Sequence, residues 1–333
     1  MDKSTIIFGN GLGMALNQEH FSLERVLEKS WDDPNSITNE EKVALETCLQ
    51  KQGNFGTPKS ESDFNYIYQV LNACQVLLNT ETERVNWLTD SGKIFPGIVG
   101  KFITSTAWKL FDNPDKLPDS FLLPLTKYLS ASKSHIATLN YDNLLYGTLC
   151  ERGILKKEYR ETTLVDGFNC LKNPPFRNEN LDRKYRNEFG YYLHLHGSPL
   201  FVGEKDSPKK LPFNSNSLQR VPSKHLVLSN FSEKPVTIAS SYLLRTYWQY
   251  FEYALSESKS IFIIGYKGCD PHLNQIIYKH VQNKKIVVVE WSGEEGINEK
   301  RNDFWKHQII RDTTDTQLTF KQYDSILDFT EWN

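Results

Sequence analysis

Two runs decide the fold: Ile261-Phe262-Ile263-Ile264-Gly265 and Lys285-Ile286-Val287-Val288-Val289-Glu290. Each is short, unbroken and rich in β-branched side chains, as expected of a strand buried on both faces. Pro271 to Gln282 between them has a helical pattern, with Asp270 a natural N-cap and Pro271 suited to the first turn. Strand, helix, strand with apolar strands means parallel neighbours joined by a crossover.

Further strands follow outward from this unit. Thr5-Ile6-Ile7-Phe8 runs into Gly9-Asn10-Gly11-Leu12-Gly13, and His135-Ile136-Ala137-Thr138-Leu139 ends at Asn140. Tyr191 to His196 is another strand, Lys224 to Leu228 a weaker one, and Ser240 to Ser256 a long aromatic helix. Leu171 to Glu188 and Phe201 to Ser217 read as surface loops, and Arg183-Lys184-Tyr185-Arg186 as a solvated basic cluster. Residues 30 to 130 are different: Glu40 to Gln50, Ser62 to Leu78, Gly97 to Leu110 and Phe121 to Leu129 have helical periodicity, punctuated by Pro34, Pro58, Pro96 and Pro118. The expected architecture is α/β and Rossmann-like: one domain with a mainly parallel sheet, helices on both faces, and an inserted helical layer at 30 to 130.

Composition narrows the function classes. The chain has 333 residues, 39% hydrophobic and 13% aromatic, enough to close a sizeable core. Lys plus Arg is 39 and Asp plus Glu is 41, a formal charge of −2, which favours neither a phosphate backbone nor an anionic membrane. No apolar run approaches the roughly 20 residues of a membrane helix, and the first apolar stretch breaks too early for a signal peptide. Five scattered cysteines without a Cys-x-x-Cys pair fit reduced thiols in a cytoplasmic protein and give no cysteine zinc site.

Parallel sheets place ligands at the carboxyl ends of their strands, and polar or small residues gather there. Gly9, Gly11 and Gly13 form a G-x-G-x-G turn, which suits either a tight turn or close approach of a phosphate to backbone N–H groups. Asn140 and Asp142 are helix caps or site groups. His194 and His196, expected to share one face of a strand, are core histidines, an H-x-H metal pair, or one base, His196, beside a Gly197 that opens backbone access. Glu290 is a surface carboxylate or a partner for ribose hydroxyls.

The order of these blocks resembles the sirtuin-like superfamily: a strand with Gly-Asn-Gly, then Thr138-Leu139-Asn140-Tyr141-Asp142, Leu195-His196-Gly197-Ser198, Ile263-Ile264-Gly265 and Val288-Val289-Glu290. The spellings T-L-N-Y-D-N-L-L and G-Y-x-x-x-D-P-H resemble the sirtuin-like domains of bacterial anti-phage defence systems. The resemblance implies an NAD+ substrate, with Gly9, Asn10, Gly11, Gly13, Gly197, Ser198, Gly265 and Glu290 around it. Asn140 would hold the nicotinamide ribose or the attacking water, Asp142 the carboxamide, and His196 would be the general base. The cysteine pairs of the sirtuin zinc ribbon are missing, so no metal is expected and the acyl-lysine groove is doubtful. Water is then the expected acceptor, and the expected activity is NAD+ glycohydrolase, giving nicotinamide and ADP-ribose in abortive infection. The resemblance also implies self-assembly and a translocase-type ATPase or phage-sensing partner. The alternatives are a non-catalytic nucleotide-binding or assembly module, an NAD-dependent deacylase or ADP-ribosyltransferase, and a metal-dependent hydrolase.

Overall fold

The structure, a computed structural model, describes the chain except residues 83, 156–161, 169–173, 185–187, 213–220, 229–232, 294–298, 312–314 and 333. Its first half runs β1 (Ser4–Phe8), α1 (Gly11–Leu16), α2 (Gln18–Phe21), α3 (Leu23–Trp31), α4 (Asn39–Lys51), α5 (Asn65–Asn79), α6 (Asp90–Phe111), α7 (Asp119–Ser132), β2 (His135–Thr138) and α8 (Leu144–Glu151). There follow β3 (Leu164–Val165), β4 (Gly190–His194), the hairpin β5 (Phe201–Glu204) and β6 (Ser207–Lys210), α9 (Lys234–Ser240) and α10 (Tyr242–Glu257). The last part is β7 (Ser260–Ile264), α11 (Pro271–Lys279), β8 (Lys285–Trp291), α12 (Glu299–Trp305) and β9 (Gln317–Tyr323).

Seven strands form one parallel sheet in the order β3-β4-β2-β1-β7-β8-β9. β1 lies inside it, buried along its whole length. Ser4 and Phe8 face α7, where Ser4 Oγ lies 2.6 Å from the Tyr128 hydroxyl and Phe8 meets the Phe121 ring edge-on. Thr5 faces the other way, its Oγ1 2.9 Å from Ser258 Oγ just after α10. Helices thus cover both faces, which is why the central strands are apolar on both sides rather than alternating.

The helical segment divides in two. α3, α4, α5 and α6 have a hydrophobic cluster of their own around Leu27, Leu45, Phe64, Ile67 and Phe102, joined by Tyr141, Leu226 and Leu228. A capping box between Thr38 and Glu41 starts α4, and Lys101 of α6 then binds Glu41. In contrast, Phe121, Leu125 and Leu129 of α7 belong to the core under the sheet. The layer therefore runs from α3 to α6 rather than over 30 to 130, because Val26 and Leu27 belong to its cluster and α7 serves the sheet.

Other differences have local causes. Pro96 lies inside α6 rather than breaking it. Phe201 to Lys210 is a hairpin, not a loop, and Lys224 to Leu228 makes a single bridge, Leu226 to Gly197. β9 escaped notice because it is an edge strand with half-exposed, mixed side chains. Arg183 is not solvated: its guanidinium grips Glu257 through two 2.7 Å bonds and lies over the Tyr191 ring. Tyr185, Arg186, Cys170, and parts of the expected loops at 171–173, 185–187 and 213–217 lie outside the described residues.

Candidate functional site

From β1 the sheet extends to β2 on one side and to β7 on the other, so the carboxyl ends of β1 and β7 are the topological switch point. Register places the motif residues around it. Phe8 pairs with Thr138 and with Ile264, and Thr138 pairs with His194. Gly9, Asn140, His196 and Gly265 each follow these paired positions by one or two residues. Neighbouring strands are about 4.8 Å apart, so all four arrive at one end of the sheet.

A small cavity of about 80 Å³ opens there, lined by Asn10, Phe21, Leu23, Glu61, Leu110, Leu139, Asn140, Tyr141 and Asp142. Its floor is the end of β2, and Glu61 and Leu110 come from the helical layer. Tyr141 ties the two together, since its ring joins the layer's cluster and its hydroxyl donates to the Val227 carbonyl.

Asn140 is not a helix cap. Its Nδ2 donates to the Gly9 carbonyl at 3.1 Å, clamping the end of β2 to the end of β1, while its buried Oδ1 has no hydrogen-bond partner among the described residues. Nor does Asp142 sit at the N-cap, which is Asn143; from one position earlier its Oδ1 accepts from Leu144 N–H at 3.0 Å and turns the chain into α8. An aspartate at 140 would set an oxygen against the Gly9 carbonyl, so Asn140→Asp disturbs the strand ends as well as any chemistry.

Burial raises the Asp142 carboxyl to about 6, against the opposing pull of the Leu144 N–H and the Asn140 amide. A raised carboxyl contributes its full stability below the ordinary value of 3.8 and loses it as pH rises through about 6. Asp142→Asn keeps the acceptor for Leu144 and removes the buried charge. The variant is expected to be up to about 3 kcal/mol more stable than wild type at pH 8, and less than about 1 kcal/mol at pH 4. Thermal melts of both proteins at the two pH values check this; an equal difference at both would contradict it.

The two histidines part company. β4 ends at His194, and His196 falls in the turn that follows, so they do not share a strand face as expected. His194 is caged by the rings of Tyr146, Tyr192 and Phe201, with both ring nitrogens unpartnered, and burial pushes it down to about 3. It is a neutral core residue. His196 Nε2 instead faces Asp270 Oδ2 at 3.7 Å. Asp270 Oδ2 also receives Lys234 Nζ at 3.1 Å, and Lys234 reaches Glu61 at 2.8 Å. Glu61 and Lys234 escaped the sequence reading because no local pattern marks them. Asp270 was visible as the cap of α11 and in the G-Y-x-x-x-D-P-H block, but nothing local tied it to His196.

Several expected ligand contacts are occupied by the protein itself. Gly9 N–H donates to Ile264 O and Gly11 N–H to Gly265 O, and a Cβ on either glycine would stand 2.6 Å from the Gly265 carbonyl oxygen. The glycines let the β1 and β7 turns touch backbone to backbone, and those amides are not offered to a phosphate. Gly13 packs on the Phe21 ring. Asn10, exposed at the turn, lines the cavity, its Nδ2 donating to Phe21 O. Gly197 opens no backbone access, since the His225 carbonyl fills that space. Ser198 Oγ accepts from Leu200 N–H within its own turn. Glu290 binds Arg301 and accepts from Trp305 Nε1 at 2.7 Å, so a ribose would have to displace or share these donors.

A larger groove of about 1000 Å³ lies in the helical layer, with Lys29, Asp33, Lys101 and Lys109 on its walls. It holds none of the motif residues. Lys109 pairs with Asp33 and Lys101 with Glu41, which leaves the groove little uncompensated charge. Among the described residues no three His, Cys, Asp or Glu side chains form a metal-binding group, and no helix is long and apolar enough to cross a membrane. Comparison with protein-family models gives no match, and no curated protein matches the chain.

Proposed function

We propose that the chain is an NAD+ glycohydrolase that cleaves the nicotinamide–ribose bond with water. One observation carries the proposal: Asn140 and Asp142 meet in one cavity at the switch point, and His196, with an acidic partner, stands at the adjoining strand end. Nicotinamide leaves with the bonding pair and becomes neutral, and the ribose passes through an oxocarbenium-like state. Water attacks the same carbon, and its proton goes to His196. The unpartnered Asn140 Oδ1 offers a fixed dipole to the ribose or the water. Asp142 meets the carboxamide N–H.

The cavity of about 80 Å³ holds a few waters, far less than a dinucleotide needs. Phe21, Leu23, Glu61 and Leu110 must therefore move outward before NAD+ enters. Such a closed resting state suits an activity that would exhaust a cell, and we assign its opening to self-assembly or to a phage-sensing or translocase-type ATPase partner.

The test is to incubate the purified protein with NAD+, alone and with candidate partners, and to follow nicotinamide and ADP-ribose by chromatography. Equimolar release of both, insensitive to chelators, is expected. Bound but uncleaved nucleotide under every condition would replace the hydrolase with a nucleotide-binding module; chelator-sensitive turnover would replace it with a metal-dependent hydrolase.

A further inference from the structure

His196 is 5% exposed, and its Nε2 has no hydrogen bond among the described residues. The carboxylate it faces is divided between two tasks. Asp270 Oδ1 accepts from the N–H groups of His272 and Leu273 and so caps α11. Asp270 Oδ2 is left for Lys234 and His196. Tyr266 braces the same turn, its hydroxyl accepting from Asp270 N–H at 2.7 Å. Both carboxylate oxygens are thus held by the protein. The separation of 3.7 Å is longer than a hydrogen bond, yet a shift of well under 1 Å closes it.

We propose that Asp270 is the positioning residue of His196, fixing the neutral ring as its Nε2–H tautomer and leaving Nδ1 for the ligand, with Lys234 and Glu61 holding the carboxylate in place. The chain Glu61–Lys234–Asp270–His196 also links the helical layer to the base, because Glu61 lines the cavity. This role rests on the hydrolase reading for its catalytic meaning, but the tautomer does not depend on it.

The charges around His196 are consistent. Burial would raise the Asp270 carboxyl, yet His196 and Lys234 hold it well below the usual range. Burial would lower the Lys234 ammonium, yet Glu61 and Asp270 raise it. His272, just inside α11, also interacts with His196, and burial keeps it below the ordinary histidine range. Asp270 is thus anionic near neutral pH, and an anion this close orients a neutral imidazole through the N–H that faces it.

Histidine-selective 15N NMR of the full chain tests this without substrate, His196 being assigned by its loss in His196→Gln. In wild type, neutral His196 is expected to carry its proton on Nε2; an Nδ1–H tautomer overturns the proposal. In Asp270→Asn, whose Oδ1 keeps the α11 cap, the amide Nδ2 stands where Oδ2 faced the ring and donates rather than accepts, so the neutral His196 proton is expected to move to Nδ1. An unchanged Nε2–H tautomer in the folded variant overturns the proposal. If wild type releases no nicotinamide while both NMR results hold, the hydrolase fails and the Asp270–His196 pair stands.

Discussion

Replacing His196 with alanine is expected to slow nicotinamide release from NAD+ by a factor of about 100 to 10,000, the range of a lost general base, while the fold stays intact. Its Nε2 makes no hydrogen bond, and Asp270 keeps Lys234 and the two N–H groups of α11 when the ring is gone. His194→Ala should do the opposite. That ring fills a cage of Tyr146, Tyr192 and Phe201, so truncation leaves a cavity worth roughly 3 kcal/mol. His194→Phe repairs the volume and removes two unpartnered nitrogens, and should melt near or above wild type with turnover retained. Turnover and melting curves on the three variants decide the matter. Normal turnover in His196→Ala removes the base from the mechanism; equal loss of turnover in His194→Phe removes the distinction between the histidines.

The second large effect is structural. Gly197 has φ +82°, and a Cβ there would stand 1.7 Å from the His225 carbonyl oxygen. Backbone cannot yield as a flexible side chain can. The Val227 N–H to His196 O bond and the Gly197–Leu226 bridge would have to open together. Gly197→Ala is therefore expected to cost about 3–5 kcal/mol and lower the melting temperature by roughly 4–7 °C. Gly97→Ala is the control: this glycine lies in α6 with nothing near its Cβ position, so alanine should be neutral or stabilise by up to about 1 kcal/mol. Similar melting of Gly197→Ala and wild type would mean that the 225–227 segment does not rest on this turn.

The parallel sheet was legible in the sequence because a strand covered on both faces must be apolar at every position, and no other element leaves so short an unbroken run. Ile261 to Ile264 and Ile286 to Val289 both show it. Edge strands carry no such mark, so β3 and β9 were not foreseen. The gathering of Asn140, Asp142 and His196 at one end of the sheet was also legible, since parallel strands put all their carboxyl ends together.

What each group touches was decided only by tertiary structure. Asn and Asp cap helices equally well from sequence, yet Asp142 braces the turn into α8 and Asn140 clamps Gly9, because the neighbouring strand end brings a carbonyl to one of them alone. Two histidines two residues apart look alike until the strand stops between them, leaving one in a cage of rings and the other beside Asp270. The glycines of the first turn are fitted to a second turn far away in the chain. Lys234 and Glu61 meet across the fold with no local pattern to announce them. Periodicity records which face of an element is covered, whereas a hydrogen bond or a buried ion pair needs two groups set within a few tenths of an ångström, and that spacing exists only once the sheet, the helical layer and α9 have packed together.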